Sequence, residues 1–507
     1  MNSAQAEQIF IPHKLVSSFN IFLLKWLQRL ALVSFGLGII TLPWRLVLWR
    51  WKRPFPPIYA DFTDFLLMPQ DVFLSITLLL WGICLAVKPR RLLTGPWFIW
   101  IPIVGLTIVS WISVPMSVDL PLSIYHAIRL LMLLGLYLYV VNELGGKWLA
   151  PSKVWRPFRA MWTVTIPLAI QIGIQAIIGI GQWRQQTDLG WQWLGEQSLS
   201  YETSNIVWAA GGKQAIKAYG LADHPNILAM NLTVGLLLLL AIVVSSRDKM
   251  RRWLLPIFAG GTAVLIVTFF RPAWIAFVAG IALFIWMASK NGQKSISQHI
   301  RPYIWTIFAT FLIPFLIILP FIKLDADEAL IAARIHERVV TQQQGKILTI
   351  AANEIFTQHA TVGTGIGTLP LSIQQSFPEF ETHYQPTRIN FINVAAELGL
   401  FGALFYGLLL TMPWLMLFIN RNRIYLMARQ ENDHSQFAPF LFLAAMSAAL
   451  LAITILSFSD AYAWFYPAGR FWQWFLWGLW GISYNEYSNK YQTLLQKTQP
   501  IKKDIYV

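Results

Sequence analysis

About 20 consecutive apolar residues is the length that carries a helix across the hydrocarbon core of a bilayer. Twelve such runs follow one another in this chain, near 30–48, 66–87, 96–115, 121–141, 160–182, 225–245, 253–270, 273–289, 303–322, 391–419, 437–456 and 463–482. A helix satisfies its own backbone, which a spanning segment must do. The expected fold class is therefore an all-α polytopic membrane protein with about 12 transmembrane helices. Only 12% of the residues are charged, against about 25% in a soluble domain, so no charged shell could enclose a core of this size. The 33 Phe, 25 Trp and 16 Tyr exclude a disordered chain. The single cysteine, Cys84, lies inside an apolar run and excludes a disulfide scaffold. The net charge of +15 is read as loop orientation, not as a nucleic-acid surface.

Lys and Arg in short connections set the orientation. With the N-terminus in the cytoplasm, the inner loops carry Lys88, Arg90 and Arg91, then Lys147 to Arg159, Arg247 to Arg252, Lys290 to Arg301, and Arg421 to Arg429. The tail adds Lys490, Lys497, Lys502 and Lys503 on the same side. Only Arg50, Lys52 and Arg53 object, because they would face outward. The chain divides into a cytoplasmic N-terminal segment at 1–29, one integral domain at 30–482 and a cytoplasmic tail at 483–507. The first apolar run is read as a permanent span, since residues 1–20 lack the pattern of a cleaved signal. Two long connections, 183–224 and 323–390, then face outside, and loops of that length are commonly functional. The second has helical texture over Ala329–Val340 and Ile347–Thr357, then turns through the glycine-rich Gly363–Gly367.

Ionisable residues inside spans mark candidate sites. Arg129 and His126 lie one turn apart in the fourth run. Arg271, followed by Pro272, interrupts a long apolar stretch. Arg470 begins the last run and has Asp460 upstream as its expected partner. His224 and Asn226 flank Pro225 at the start of a helix, where anions are favoured. Glu397 begins a span, preceded by His383, Tyr384 and Arg388. The derived orientation puts Arg129, Arg271, Arg388, Arg470, His224 and His383 in the outer half. Clustered guanidinium groups at a membrane face suit a pyrophosphate, which they grip with forked donors.

These residues carry a resemblance to the O-antigen ligase and O-antigen polymerase superfamily of bacterial envelope polysaccharide assembly. It covers about residues 100–480. Asp223-His224-Pro225-Asn226-Ile227-Leu228-Ala229 is similar to the family's His-Pro-Asn followed by Leu-Ala. Thr268 to Trp274 is similar to its Thr-x-Ser-Arg-Gly-Ala-Trp, with Phe270 and Pro272 in place of Ser and Gly. The large loop, with Gly363–Gly367 and then Glu397-Leu398-Gly399-Leu400-Phe401-Gly402, is the third match. The resemblance implies a C-type glycosyltransferase in the plasma membrane, working without metal or other cofactor. It would move a glycan from an undecaprenyl-pyrophosphate carrier to an acceptor sugar on the outer face. Arg271 matches the family's motif arginine, and Arg129, Arg388 and Arg470 are read as further pyrophosphate ligands. His224, Asn226 and His126 would line the substrate site. The family's loop His-Asn pair falls on Arg388 and Ile389 here, so the base expected is His383, with Glu397 beside it in the catalytic site. A transporter or flippase for an anionic lipid-linked substrate and a non-catalytic assembly subunit are the alternative classes. No Walker loop, Rossmann fingerprint or metal-ligand spacing occurs in the sequence.

Overall fold

The computed structural model describes residues 18–144, 161–202, 204–208, 214–245, 248–289, 308–316, 328–379, 383–430 and 438–498. Among the described residues the structure is mostly helical, with two small antiparallel hairpins. These are β1 (Trp49–Trp51) with β2 (Phe65–Leu67), and β3 (Ile206–Trp208) with β4 (Gln214–Ile216). Ten helices among the described residues are long and apolar enough to cross a membrane. They belong to α1 (Ser18–Ile40), α2 (Pro69–Val87), α3 (Trp97–Ser113), α4 (Leu120–Tyr139), α5 (Ile166–Gln185), α6 (Pro225–Ser245), α7 (Asp248–Val267), α8 (Arg271–Ser289), α11 (Asn390–Ile419) and α13 (Ala438–Ser457). Between them come α9 (Glu328–Gln358), α10 (Leu369–Ser376) and α12 (Arg421–Gln430). The short α14 (Tyr462–Phe465) and the long α15 (Pro467–Thr498) close the chain.

Helix α6 is the axis of the bundle. Its apolar window is fully buried, and α5, α7, α8, α13 and α15 pack around it. Lipid offers no hydrophobic drive between helices, so close backbone approach must supply the packing. Helix α13 does this with a buried stripe of alanines, Ala444, Ala445, Ala448, Ala449 and Ala452, laid against α6 and α8.

The first span is displaced from the expected 30–48. It ends at Ile40, because Pro43 cannot continue a helix, and the chain runs on into β1. The helix also begins earlier, at Ser18, inside the segment expected to be a cytoplasmic lead. The two helical textures expected in the large loop form one helix, α9, of 31 residues. The expected span at 303–322 lies outside the described residues except for 308–316, which are helical. The expected span at 463–482 is cut at Tyr466, which is extended (φ −87°, ψ 135°) ahead of Pro467. Its tryptophans, Trp472, Trp474, Trp477 and Trp480, are fully buried among other helices. Helix α15 then runs past 482, through much of the expected tail.

The arginines of the cationic connection 45–67 are ion-paired. Arg50 pairs with Asp64 at 2.6 Å, Arg53 with Asp119 at 2.7 Å, and Arg45 with Asp223 at 2.8 Å. Burial alone would raise the Asp119 carboxyl, but its hydrogen bonds from Arg53 and Leu122 N–H hold it below the usual range. Two of the three exceptional charges of this loop, Arg50 and Arg53, are thus matched by carboxylates.

Candidate functional site

The ends of several helices meet at one end of the bundle, and side chains on α5 pin the loop that runs there. Gln182 Oε1 accepts from Tyr219 and Gly220 N–H at 3.0 and 2.8 Å, and its Nε2 donates to Gly220 O and Glu196 Oε1. Gln175 Oε1 accepts from Leu221 N–H at 2.9 Å. These bonds deliver Asp223, His224 and Asn226 to the start of α6. The Asn226 backbone N–H donates to His224 Nδ1 at 3.1 Å, so the neutral ring carries its proton on Nε2. Burial and the Lys217 cation push the His224 pKa down to about 4.

The two glycine-bearing sequences of the large loop meet each other. Helix α11 is broken at Gly399 (φ 67°, ψ −163°), and Gly363 also has positive φ, at 78°. The break frees backbone groups of α11 that the glycine loop takes up. Thr364 N–H donates to Ala396 O at 3.1 Å, Gly365 N–H to Glu397 O at 3.0 Å, and Leu400 N–H to Ala360 O at 2.7 Å. A broken helix at membrane depth survives only where protein satisfies it in this way. Glu397 is fully buried at the break. Its Oε2 accepts from Trp464 Nε1 at 2.7 Å and its Oε1 from Leu369 N–H at 3.2 Å. It clamps the glycine loop, α10 and α14 together and lines neither of the openings described next.

The larger opening is a cavity of about 650 Å³. Its floor comes from the starts of α6 and α8, through Asn226 and Pro272, and from the turn after α13, through Asp460. The middle of α9 (Gln344, Gly345) and the segment before α11 (Gln385 to Arg388) form a side wall. Tyr59 and Asp61 of the early connection, with Tyr466, complete it. Asp460 is partly buried. Its Oδ1 accepts from Tyr462 N–H at 3.1 Å, its Oδ2 from Asn226 Nδ2 at 3.4 Å, and its own carbonyl from Asn390 Nδ2 at 3.0 Å. Burial pushes its carboxyl up to about 6, against the opposing Asn226 hydrogen bond and the Arg388 charge. Asp223 is likewise raised by burial and is hydrogen-bonded to Asp61.

The smaller opening lies on the other side of the Phe465–Pro467 corner and holds about 20 Å³, room for roughly one water. Arg129 and Arg470 both line it, with Asp71 and Gln70 of α2. Arg129 is ion-paired with Asp71 and stacks on the Tyr125 ring at 5.0 Å. Arg470 does not meet Asp460. Its Nε donates to Trp464 O, its Nη1 lies 3.4 Å from His126 Nδ1, and its buried Nη2 has no hydrogen-bond partner among the described residues.

The expected site residues thus fall into three places. His224, Asn226 and Arg388 share the larger cavity. Arg129 and Arg470 share the small cleft, with His126 bridging Arg470 to the glycine loop, where its ring abuts Gly367. Arg271 and His383 belong to neither lining. Arg271 is exposed at the first turn of α8, although its neighbours Phe270 and Pro272 reach the cavity. His383 is exposed, with Nδ1 2.7 Å from Pro57 O and its ring 4.5 Å from that of Tyr59. Cavity residues that the sequence did not announce are Asp61, Asp223, Tyr59 and Tyr466, together with Asp460 acting away from Arg470. Their only advance signals were acids or a tyrosine beside predicted spans, Tyr466 within the last one, and Asp223 as the first residue of the His-Pro-Asn match. No family model matches this chain, and no curated protein matches it.

Proposed function

We propose that this chain is a membrane glycosyltransferase of the O-antigen ligase and polymerase type. It takes a glycan from an undecaprenyl-pyrophosphate carrier and joins it to an acceptor sugar at the outer face of the plasma membrane. Twelve spans, both termini in the cytoplasm and the 183–224 and 323–390 connections outside complete the reading. The observation that carries it is the 650 Å³ cavity at one end of the bundle, which an arginine, three aspartates and a neutral histidine line. That volume lies in the usual range for small-molecule sites, about 300–1,000 Å³.

Its lining suits a saccharide next to a phosphate. Carboxylates and amides accept and donate to sugar hydroxyls, and Tyr59, Phe62 and Tyr466 offer flat apolar faces. Arg388 supplies a forked donor for the pyrophosphate. His224, with its proton on Nε2, adds a neutral donor to the same cavity. As the anomeric C–O bond breaks, negative charge grows on the leaving pyrophosphate, and fixed donors there stabilise the transition state more than the ground state. The apolar rim (Ile227, Phe270, Leu348) would face the lipid tail of the donor. The polar lining sits at the helix ends, not at mid-membrane where transporter sites are usual.

The test is glycan profiling of a strain lacking the gene. Loss of long chains marks a polymerase, and accumulation of unattached lipid-linked chains marks a ligase. An unchanged glycan profile overturns the reading.

A further inference from the structure

The family resemblance calls for a loop histidine as base, yet the cavity has none in that role. His383 is exposed outside it and engaged with Pro57 O. His224 is inside, but its Nδ1 lone pair is already taken by the Asn226 N–H, so its free face donates. Of the three cavity acids, Asp223 is tied to Arg45 at 2.8 Å and Asp61 to Arg50 at 3.4 Å, and the two hydrogen-bond each other. Asp460 differs. It makes no ion pair among the described residues, yet its orientation is held by three elements: Tyr462 N–H beyond it, Asn226 of α6, and Asn390 of α11 on its carbonyl.

We infer that Asp460 is the general base of this cavity, with Asn226 as its positioning residue. This rests on the glycosyltransferase reading above. An Asp460 carboxylate oxygen takes the proton of the acceptor hydroxyl as that oxygen bonds to the anomeric carbon of the donor. The bond from that carbon to the pyrophosphate oxygen breaks, and its electron pair leaves with undecaprenyl pyrophosphate, which Arg388 receives. Asp460 then returns its proton to water through the open cavity. A carboxyl serves this role best when its pKa lies near the working pH, and burial moves Asp460 in that direction. The charged and titratable groups around it are Arg388 from the loop, Tyr462 and Tyr466 from its own segment, and His224, Asp223 and Asp61 across the cavity, with Tyr59 at the rim. Burial raises the carboxyl, and Arg388, with the Asn226 and Tyr462 hydrogen bonds, favours the carboxylate.

The experiment uses the full-length protein in two measurements. Binding of undecaprenyl pyrophosphate to the protein in nanodiscs reports the leaving-group site. The rate of glycan transfer in permeabilised membranes of the complemented deletion strain, taken from pH 5 to 8, reports the chemistry. Asp460→Asn should bind undecaprenyl pyrophosphate as wild type does and transfer about 10²–10⁴-fold more slowly, the usual contribution of a positioned base. The wild-type rate should climb as pH rises through about 6. That limb should vanish in Asp460→Asn and survive at reduced height in Asp460→Glu. Asn226→Ala should slow transfer and shift the limb, because a base that loses its positioning hydrogen bond titrates at a different pH. The proposal is overturned if Asp460→Asn transfers at the wild-type rate, or if its acidic limb is unchanged. If wild type binds no undecaprenyl pyrophosphate and the deletion strain keeps its glycans, the parent reading fails first and takes this assignment with it.

Discussion

Replacing Gly399 by alanine tests the joint between the large loop and the membrane bundle. The residue sits at φ 67°, ψ −163°, a region essentially confined to glycine. Placing a side chain there costs roughly 1–3 kcal/mol in strain. Relief is blocked, because the new Cβ would lie 2.6 Å from the Thr361 carbonyl carbon and oxygen and 2.7 Å from Val362 N, all backbone atoms. If the loop shifts away, it gives up the bonds Thr364 N–H to Ala396 O, Gly365 N–H to Glu397 O, and Leu400 N–H to Ala360 O. Each is worth about 0.5–1.5 kcal/mol. Strain and lost bonds together should lower the free energy of opening this joint by roughly 3–6 kcal/mol. Even the lower figure means amide exchange about 100-fold faster, at about 1.4 kcal/mol per factor of ten. Hydrogen-exchange mass spectrometry on peptides spanning 360–367 and 396–400, in nanodiscs, reads this directly. Gly173→Ala is the control, since nothing lies within 4 Å of its added Cβ. Unchanged exchange in Gly399→Ala would refute the account of a broken helix held by the glycine loop.

Other consequences follow from single contacts. Asp71→Ala leaves Arg129, whose side chain is 15% exposed, charged and without its ion pair, which costs at most about 3–5 kcal/mol. Thermal unfolding in detergent should show the loss, and adding Arg129→Met should recover most of it. Trp464→Phe removes the donor to Glu397 Oε2 and should destabilise by about 1–3 kcal/mol, the cost of a buried acceptor left short. Arg388→Ala should weaken undecaprenyl pyrophosphate binding about tenfold or more, the value of a charge-assisted hydrogen bond. Arg271→Ala should leave that binding unchanged, because its side chain lies outside the cavity. Reporter fusions at 202 and 379 should be active outside the cell and those at 88 and 289 inside; the reverse pattern would remove the proposed orientation.

The membrane class was legible because apolar run length is a one-dimensional property. Ten of the expected runs correspond to helices long enough to span. Boundaries failed where a local conformational rule outweighed hydropathy. Pro43 stops α1 short of the apolar residues that follow it, and Pro467 forces Tyr466 extended and cuts the last run. Both prolines were visible, but apolar length alone ran through them. The glycine run at 363–367 was legible as a break, whereas Gly399 lay inside an expected span and stood out only as part of a motif. That one break supplies hydrogen bonds to the other was not legible, because the partners lie 32 residues apart in the case of Thr364 and Ala396 and nothing local selects them.

The same limit explains the arginines. An arginine in an apolar run announces that some anion or carbonyl must meet it, but not which. Arg129 finds Asp71, 58 residues upstream at the first turn of α2, so its charge is answered within the protein. Arg470 finds a carbonyl and a histidine, and its Nη2 remains unanswered. Arg388 reaches the cavity without an ion pair among the described residues. Sequence ranked these three alike as pyrophosphate ligands. Structure separates them by how much of each guanidinium is already committed, and a ligand can claim only what is left. By that criterion Arg388 is the arginine of the cavity lining with its guanidinium least committed among the described residues. The cleft beside Arg129 and Arg470 is too small at about 20 Å³ to hold more than roughly one water. Asp460 does not meet Arg470, the pairing that the sequence suggested; its carboxylate accepts from Tyr462 N–H and Asn226 Nδ2 and makes no ion pair among the described residues.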